Sequence, residues 1–349
     1  MDRHELLKAL KTALPGTDKE SSLLQAADSF VLDNSWIRTY NEQISVSVPF
    51  ESGIRAVAKA QELYKVVGKM DGDSVRLFVQ NGQLILQDRQ TTLEMNAPDK
   101  LPDTLRALNT DGLTWAELPA DFMTGIRLCL TSASTNSLFT AINGICFSGP
   151  NILSTDNFRV SWYEIPGMDM GYGIIPTPAV KELLKLGNDF KEISRDASWI
   201  HFRDSAGTIF SCRLMEGNFP LEKSLKLFDM EFSEVYTFPH GIYEAADRAA
   251  IMASAKESEF SGSPFITITR KENTLVVKGN KDIGRLTDKV RMGQEPFPAE
   301  FELLIPPNSL KALLEMAYNF QLGDLKGRTL ILFQTDNFSH LVSGRAKTA

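Results

Sequence analysis

The chain has 349 residues, too many for one ordinary core, so two or three domains of roughly 100–200 residues are expected. Apolar residues make up 43% and charged residues 23%, as in a soluble globular protein; no stretch resembles the ~20-residue apolar run of a membrane span, and the start "MDRHELLKALKTAL" does not read as a secretion signal. The net charge of −7, taken globally, argues against a nucleic-acid binder, and three widely spaced cysteines (Cys129, Cys146, Cys212) fit free thiols and a cytoplasmic location.

In chain order, residues 2–14 place Leu6, Leu7, Leu10 and Leu14 on one face and predict a helix. Paired strands follow over 29–48 with a turn at Asp33-Asn34, then a helix over 54–69, then a hairpin about Asn81-Gly82. The pattern returns. Residues 120–133 predict a helix through Phe122, Met123, Ile126 and Leu130. Strands turn at Gly149-Pro150, a helix runs over 179–186 behind Pro178, and a hairpin turns at Ala206-Gly207. A third pass has a helix over 241–256, strands turning at Glu272-Asn273, a helix over 308–318 behind Pro306-Pro307 with Asn308 as its cap, and a closing hairpin through "TLILFQTDNFSHLVSG". The expectation is an α+β chain of three repeated helix-plus-antiparallel-sheet units, bounded at 1–112, 113–226 and 227–349. The "TDNF" at 335–338 echoes that at 155–158, but the spacing is not a multiple of the unit, so the echo is accidental.

No constellation demands catalysis. His4, His201, His240 and His340 are scattered, no Cys pair has metal-ligand spacing, and "GMDMGYG" (167–173) lacks the Lys-Ser/Thr of a phosphate loop and reads as a flexible loop. No Gly-x-Ser-x-Gly elbow occurs, and Asp28/Asp33 and Asp71/Asp73 sit where turns favour aspartate. No catalytic residue, metal or cofactor is expected. Thr155, Asp156 and Arg159 of "STDNFRV" could do chemistry, but Asp156 and Arg159 read better as braces of a turn.

Charge distribution says more than net charge. The six predicted helices together carry +5 and the rest of the chain −12. Lys8/Lys11, Lys65/Lys69 and Lys181/Lys185 have i,i+3 or i,i+4 spacing, so each pair shares a face. Lysine is also a good helix former and collects on solvated faces, so a bland reading stays open. The functional reading is an acidic protein with a basic, helix-built face. Lys8, Lys11, Lys59, Lys65, Lys69, Arg127, Lys181, Lys185, Arg248 and Lys311 are the candidates to track phosphates without reading bases. Few aromatics accompany them, which favours duplex over single strands.

One stretch carries a family resemblance. "LFTAINGICFSGPNILSTDNFRVSWYEIP", followed after a strand by "EGNFP", resembles the middle domain of the bacterial sliding clamp, the beta subunit of DNA polymerase III. The family has Asn-Gly at a strand start, Thr-Asp-Gly-His-Arg-Leu after a hairpin, and a later Gly-x-Phe-Pro. Here stand Asn143-Gly144, Thr155-Asp156-Asn157-Phe158-Arg159-Val160 and Gly217-Asn218-Phe219-Pro220. "YEAADRAAIMAS", with Arg248-Ala249-Ala250-Ile251, resembles the first helix of the third domain, and "RHELLKAL" that of the first. The resemblance spans nearly the whole chain, with motifs diverged as in a distant, phage-encoded member.

The resemblance implies clamp domains joined as a homodimeric ring with helices inside, encircling double-stranded DNA without sequence preference. It implies a processivity factor rather than an enzyme, partnered by a replicative DNA polymerase and a clamp loader. It also implies a partner-peptide groove lined by Ile142, Thr155, Asn157, Phe158, Val160, Pro220, Leu225, Leu341 and Val342. Two departures bear on that groove: the family's Gly-His is Asn157-Phe158, and its Met-Pro-Met tail is replaced by Ser343-Gly344-Arg345 and "AKTA". A ring-shaped structural or assembly protein of the same repeats, and an enzyme with an unrecognised site, stay open as alternatives.

Overall fold

A computed structural model describes residues 1–18, 26–98, 110, 112–134, 140–187, 189–254 and 264–343. The end of the chain from Gly344, one of the two groove departures, lies outside them. Within the described residues one order of elements runs three times: helix, four strands, helix, three strands.

The first pass is α1 (Arg3–Ala13), β1 (Ser29–Asp33), β2 (Trp36–Tyr40), β3 (Ile44–Pro49), β4 (Arg55–Lys59), α2 (Ala60–Lys69), β5 (Arg76–Gln80), β6 (Gln83–Gln87) and β7 (Thr92–Asn96). The second opens with a short strand, β8 (Ala116–Glu117). It continues with α3 (Phe122–Cys129), β9 (Gly144–Ser148), β10 (Asn151–Thr155), β11 (Arg159–Glu164), β12 (Tyr172–Pro176), α4 (Thr177–Leu186), β13 (Phe190–Arg195), β14 (Trp199–Asp204) and β15 (Ile209–Arg213). The third has α5 (Leu221–Leu225), β16 (Tyr236–Thr237), α6 (Ile242–Ala250), β17 (Ile266–Lys271), β18 (Thr274–Lys281), β19 (Gly284–Arg291), β20 (Glu302–Ile305), α7 (Pro307–Leu314), β21 (Asn319–Leu325), β22 (Arg328–Gln334) and β23 (Phe338–Ser343).

Local chemistry explains the boundaries. The Asp2 carboxylate accepts the Glu5 N–H at 2.8 Å and caps α1, which buries Leu6 and Leu10 beside α2's Leu63 and Val67. Asn81 and Gly82 take φ of 51° and 74°, the left-handed pair that a two-residue hairpin turn needs between β5 and β6. Gly173 is the second residue of β12, where a Cβ would stand 2.3 Å from the Phe147 ring, so only glycine lets the two strands close; the loop expected over 167–173 therefore ends as a strand.

Three helix expectations are corrected. Residues 55–59 of the helix expected over 54–69 are β4, paired with β1 in the register Val31↔Val57. "RAVAK" fits either period, and the free edge of β1 offers it a full set of backbone partners, so pairing overrides propensity. Lys59 consequently stands at a strand end, not on a helix. The third-pass helices are shorter than expected, ending at Ala250 and Leu314, and α7 starts from Pro306 and Pro307 with no side-chain cap from Asn308.

The chain divides into two compact units, 1–120 with 178–215 and 121–177 with 216–349. Each is built on an eight-stranded antiparallel sheet. The first has the order β4-β1-β2-β3-β15-β14-β13-β8, the second β12-β9-β10-β11-β23-β22-β21-β16. In both, four strands of one pass join three of the next, through β3–β15 and β11–β23. The first unit also holds a three-stranded sheet, β5-β6-β7, and the second a four-stranded sheet, β19-β18-β17-β20. Among the described residues no helix is long and apolar enough to cross a membrane.

Candidate functional site

The turn between β10 and β11 is held by its own polar side chains. Asp156 Oδ1 accepts the backbone N–H of Phe158 and of Arg159, each at 3.1 Å, and Oδ2 accepts Arg159 Nε at 2.9 Å. Arg159 Nη1 donates to Ser309 Oγ in the first turn of α7. The Asp156 side chain is fully buried, so the pair is a desolvated, hydrogen-bonded ion pair rather than a surface contact. Thr155 Oγ1 donates to the Arg159 carbonyl at 2.8 Å and accepts the Asn157 N–H at 3.1 Å. The polar groups of Thr155, Asp156 and Arg159 are thus occupied in shaping the turn. Asn157 has φ 74°, a left-handed conformation that asparagine tolerates better than most side chains, which accounts for Asn where the clamp pattern has Gly.

This turn presents Asn157, exposed, and Phe158, half-buried, whose carbonyl accepts the Ser343 N–H at 2.8 Å. Beside it, Thr155, Val160 and Leu341 form one cross-strand row in the registers Thr155↔Val160 and Val160↔Leu341. Leu341 packs with Leu330 and Leu332 under Leu227, Phe228, Met230 and Phe232. Phe228 also meets Trp162, their rings 5.3 Å apart. Val342 follows Leu341 on a strand, so it points to the opposite face of β23 and is wholly buried. The two cannot line one groove.

The connector with Pro220 and Leu225 is pinned nearby. Tyr172 Oη accepts the Phe219 N–H at 2.8 Å and donates to the Gly217 carbonyl at 3.0 Å. Pro220's carbonyl starts α5 by accepting both the N–H and the hydroxyl of Ser224. Gly217 runs against Ala141, next to Ile142, which is buried. Thr155, Val160 and Leu341 are therefore gathered in one row beside Asn157 and Phe158, while Ile142, Pro220 and Leu225 belong to the segments that edge it. The sequence reading missed the cover supplied by Leu227, Phe228, Met230 and Phe232; the density of apolar residues in "KLFDMEF" was its only signal.

Of the cationic candidates, Lys8 and Lys11 on α1, Lys65 and Lys69 on α2, Arg127 on α3 and Lys181 and Lys185 on α4 are exposed. Lys11 and Lys185 line the same cleft of ≈ 770 Å³ in the first unit. The others are committed to partners: Lys59 to Asp28, Arg248 to Asp288 at 2.6 Å, and Lys311 to Asp247 while its ammonium lies 5.6 Å from the Tyr243 ring centre. Lys185 is paired with Glu182 one turn away at 2.7 Å.

The three cysteines and two of the four histidines are buried. Burial pushes the Cys146 thiol up to about 12 and raises Cys129 and Cys212 as well. His340 Nδ1 lies 2.8 Å from Ser161 Oγ, but its ring is wholly buried, and burial with the Arg159 charge lowers its pKa to about 3. His201 is paired with Ser211 Oγ at 2.8 Å and its pKa is likewise lowered by burial. Both histidines are buried on strands, His201 on β14 and His340 on β23.

Three passes of helix, four strands, helix and three strands, joined by shared sheets, are the architecture of the DNA sliding clamps. Solved structures bear this out: the chain has the fold of the bacterial DNA polymerase III beta clamps. The beta chain from Streptococcus pneumoniae superposes with a TM-score of 0.77 at 16% identity, covering 98% of each chain. The Bacillus subtilis clamp gives 0.75 at 17% identity, covering 99% of this chain and 97% of that one. The Pseudomonas aeruginosa clamp, solved with griselimycin bound, gives 0.76 at 14% identity over 99% and 98%. No protein-family model matches the sequence, and no curated protein matches it.

Proposed function

We propose that the chain is a DNA sliding clamp, a non-enzymatic processivity factor that closes round duplex DNA as a homodimer and tethers a replicative polymerase after a clamp loader has opened it. One observation carries the reading. Two joints between successive passes are made by the same antiparallel pairing, β3–β15 and β11–β23. The strands of the corresponding third pair, β19 and β7, pair on one side only, with β18 and β6, and among the described residues each leaves its outer edge open. Open edges of this kind need a partner, and two copies joined β19 to β7 would satisfy all four at once. Ile251 and Ile283, 67% and 86% exposed, support the same joint: Ile251's carbonyl takes the Lys281 ammonium at 2.7 Å, which puts this apolar pair by the β18–β19 turn.

In this reading the passes are clamp domains 1–112, 113–226 and 227–349. The exposed helix lysines face DNA, and screened, non-directional contacts let the ring slide. Asn157 and Phe158, at the end of the buried row Thr155–Val160–Leu341, together with Pro220 and Leu225 at its edge, receive the partner peptide. The test is topological. Protein loaded on nicked circular DNA should stay bound and leave when the circle is cut. Equal retention on circular and linear DNA would overturn the reading in favour of ordinary binding, and a dimer with no retention on either would favour an assembly protein.

A further inference from the structure

The four-stranded sheet of the second unit buries one face and charges the other. Ile266 and Ile268 of β17, Leu275 and Val277 of β18 and Leu303 of β20 are wholly buried, and α6 packs on this sheet. Gly279 continues the buried face: a Cβ there would stand 2.3 Å from the Ala249 carbonyl, so α6 lies directly on β18. The intervening positions point the opposite way. Five of them are cations: Lys271, Lys278, Arg285, Lys289 and Arg291. Glu302 is the one carboxylate at the outward strand positions.

These cations outnumber the carboxylates near them. None forms an ion pair with a described residue, and Arg285 Nε is merely oriented by Asn280 Oδ1 at 3.0 Å. Arg248 and Lys311 of the same unit are, by contrast, neutralised by aspartates. Residues 266–291 contain seven Lys and Arg against three Asp and Glu, within a chain of net charge −7. Five like charges on one small sheet are unfavourable unless an anion covers them.

The face also indicates which anion. Hydroxyl groups are interleaved with the charges, in the registers Lys278↔Thr287, Thr267↔Lys278 and Thr274↔Arg291. Among the described residues no Phe, Tyr or Trp stands at an outward position within β17–β20, and the recess has a single aromatic at its rim, the half-buried Phe265 just ahead of β17, which is too little for a platform of stacked bases. An acidic protein segment would want apolar anchors, and of the outward apolar side chains Val276 is already buried and Leu304 half-buried. Arg285 to Arg291 spans about 20 Å along β19, and Lys271 lies about 10 Å across the sheet from Arg291. A recess of ≈ 440 Å³ opens at Lys278, Lys281 and Arg285, with Asn280, Thr267 and Thr269 also lining it and two carboxylates, Asp282 and Glu302, at its wall. Ammonium, guanidinium and hydroxyl donors on a flat, non-stacking surface are the chemistry of phosphate contacts.

We propose that this sheet face is a second nucleic-acid site, which holds the phosphate backbone of duplex DNA independently of sequence and separately from the helix lysines. The inference does not rest on the sliding reading.

The test is fluorescence anisotropy of the full chain with a labelled linear duplex of about 20 base pairs over a salt series. Lys278→Glu with Arg285→Glu should weaken binding at least about tenfold at fixed salt and flatten the slope of log K against log salt by about two. Lys278→Gln with Arg285→Gln should show a smaller loss. Arg285 is exposed and Lys278 half-buried with its charge at the recess, so the unfolding midpoint should move little, and least in the Gln pair. The Glu pair should still be retained on circular DNA, whereas failure of the sliding reading would be seen in that second assay alone. Unchanged affinity and slope in the Glu variant would overturn the proposal. So would displacement of the duplex by a glutamate polymer at equal charge concentration, which would assign the face to an acidic protein segment.

Discussion

Arg159 Nε meets Asp156 Oδ2 at 2.9 Å in a turn where the aspartate is fully buried, and the same guanidinium reaches Ser309 on α7. The pair ties the β10–β11 turn to a helix 150 residues further along the chain. Removing either partner strands a buried charge. Asp156→Ala is expected to cost about 3–5 kcal/mol in chemical denaturation, and the double variant with Arg159→Leu less than the two single losses together. A loss under about 1 kcal/mol for Asp156→Ala would show that the turn does not depend on the pair.

The helix lysines should matter for holding DNA and not for folding. Reversing Lys65, Lys69, Lys181 and Lys185 to Glu is expected to leave the dimer and its unfolding midpoint unchanged while retention on circular DNA falls at least about tenfold at moderate salt. Reversing the aspartate-paired Arg248 should have a smaller effect on retention, since its charge is already neutralised. Equal effects per residue reversed would mean that a carboxylate partner, which Lys185 also has in Glu182, does not govern contact with DNA.

Phe158 is the half-buried aromatic at the end of the Thr155–Val160–Leu341 row. Phe158→Asp should weaken binding of a polymerase-derived peptide by about 1–3 kcal/mol, roughly 5- to 150-fold, read by calorimetry. Val342→Ala, on the other face of β23, should lower stability without an affinity change of its own. An unchanged peptide affinity in Phe158→Asp would move the pocket elsewhere.

His340 gives a pH signature. Burial holds its folded pKa at about 3, far below the ~6.5 of an unfolded histidine, so the unfolded state takes up the proton first. Stability conferred by the neutral ring is therefore present above about pH 6.5 and declines as pH falls toward 3, by up to about 1.4 kcal/mol per unit. Urea titrations from pH 7 to 5 should show this slope, and His340→Gln should flatten it. His201, lowered in the same direction, contributes a slope of the same sign that His340→Gln leaves in place.

The exposed Ile251 and Ile283 test the proposed joint between copies. Ile251→Asp with Ile283→Asp should raise the dimer dissociation constant at least about tenfold in sedimentation experiments, with each chain still folded. A dimer of unchanged affinity would place the interface away from the β18–β19 turn.

Much of this architecture is legible in the linear chain. Asn81-Gly82, Gly149-Pro150 and Glu272-Asn273 mark hairpin turns because those backbones must enter left-handed or tightly bent conformations, a requirement met locally. The leucines of α1 mark a buried helix face by their spacing alone. The repeat follows from such local signals recurring in one order, and so does the α+β class. The bracing role of Asp156 and Arg159 was also visible, since both lie within a four-residue turn.

Other features depend on partners distant in sequence. Arg55–Lys59 is a strand because β1 offers it a free edge, which no local propensity encodes. Leu341 and Val342 differ in role because strand geometry sends neighbours to opposite faces, and only pairing with β11 and β22 says which face meets the cover of Leu227 and Phe228. The same holds for charge. The chain shows that Lys278, Arg285, Lys289 and Arg291 exist, but register across β18 and β19 gathers them on one face, and the folded positions of carboxylates leave them unpaired while neutralising Arg248 and Lys311. Sequence thus determined the elements and their order, which depend on a few neighbouring residues. Tertiary structure decided which residues share a surface, because that depends on register and on contacts made across the whole chain.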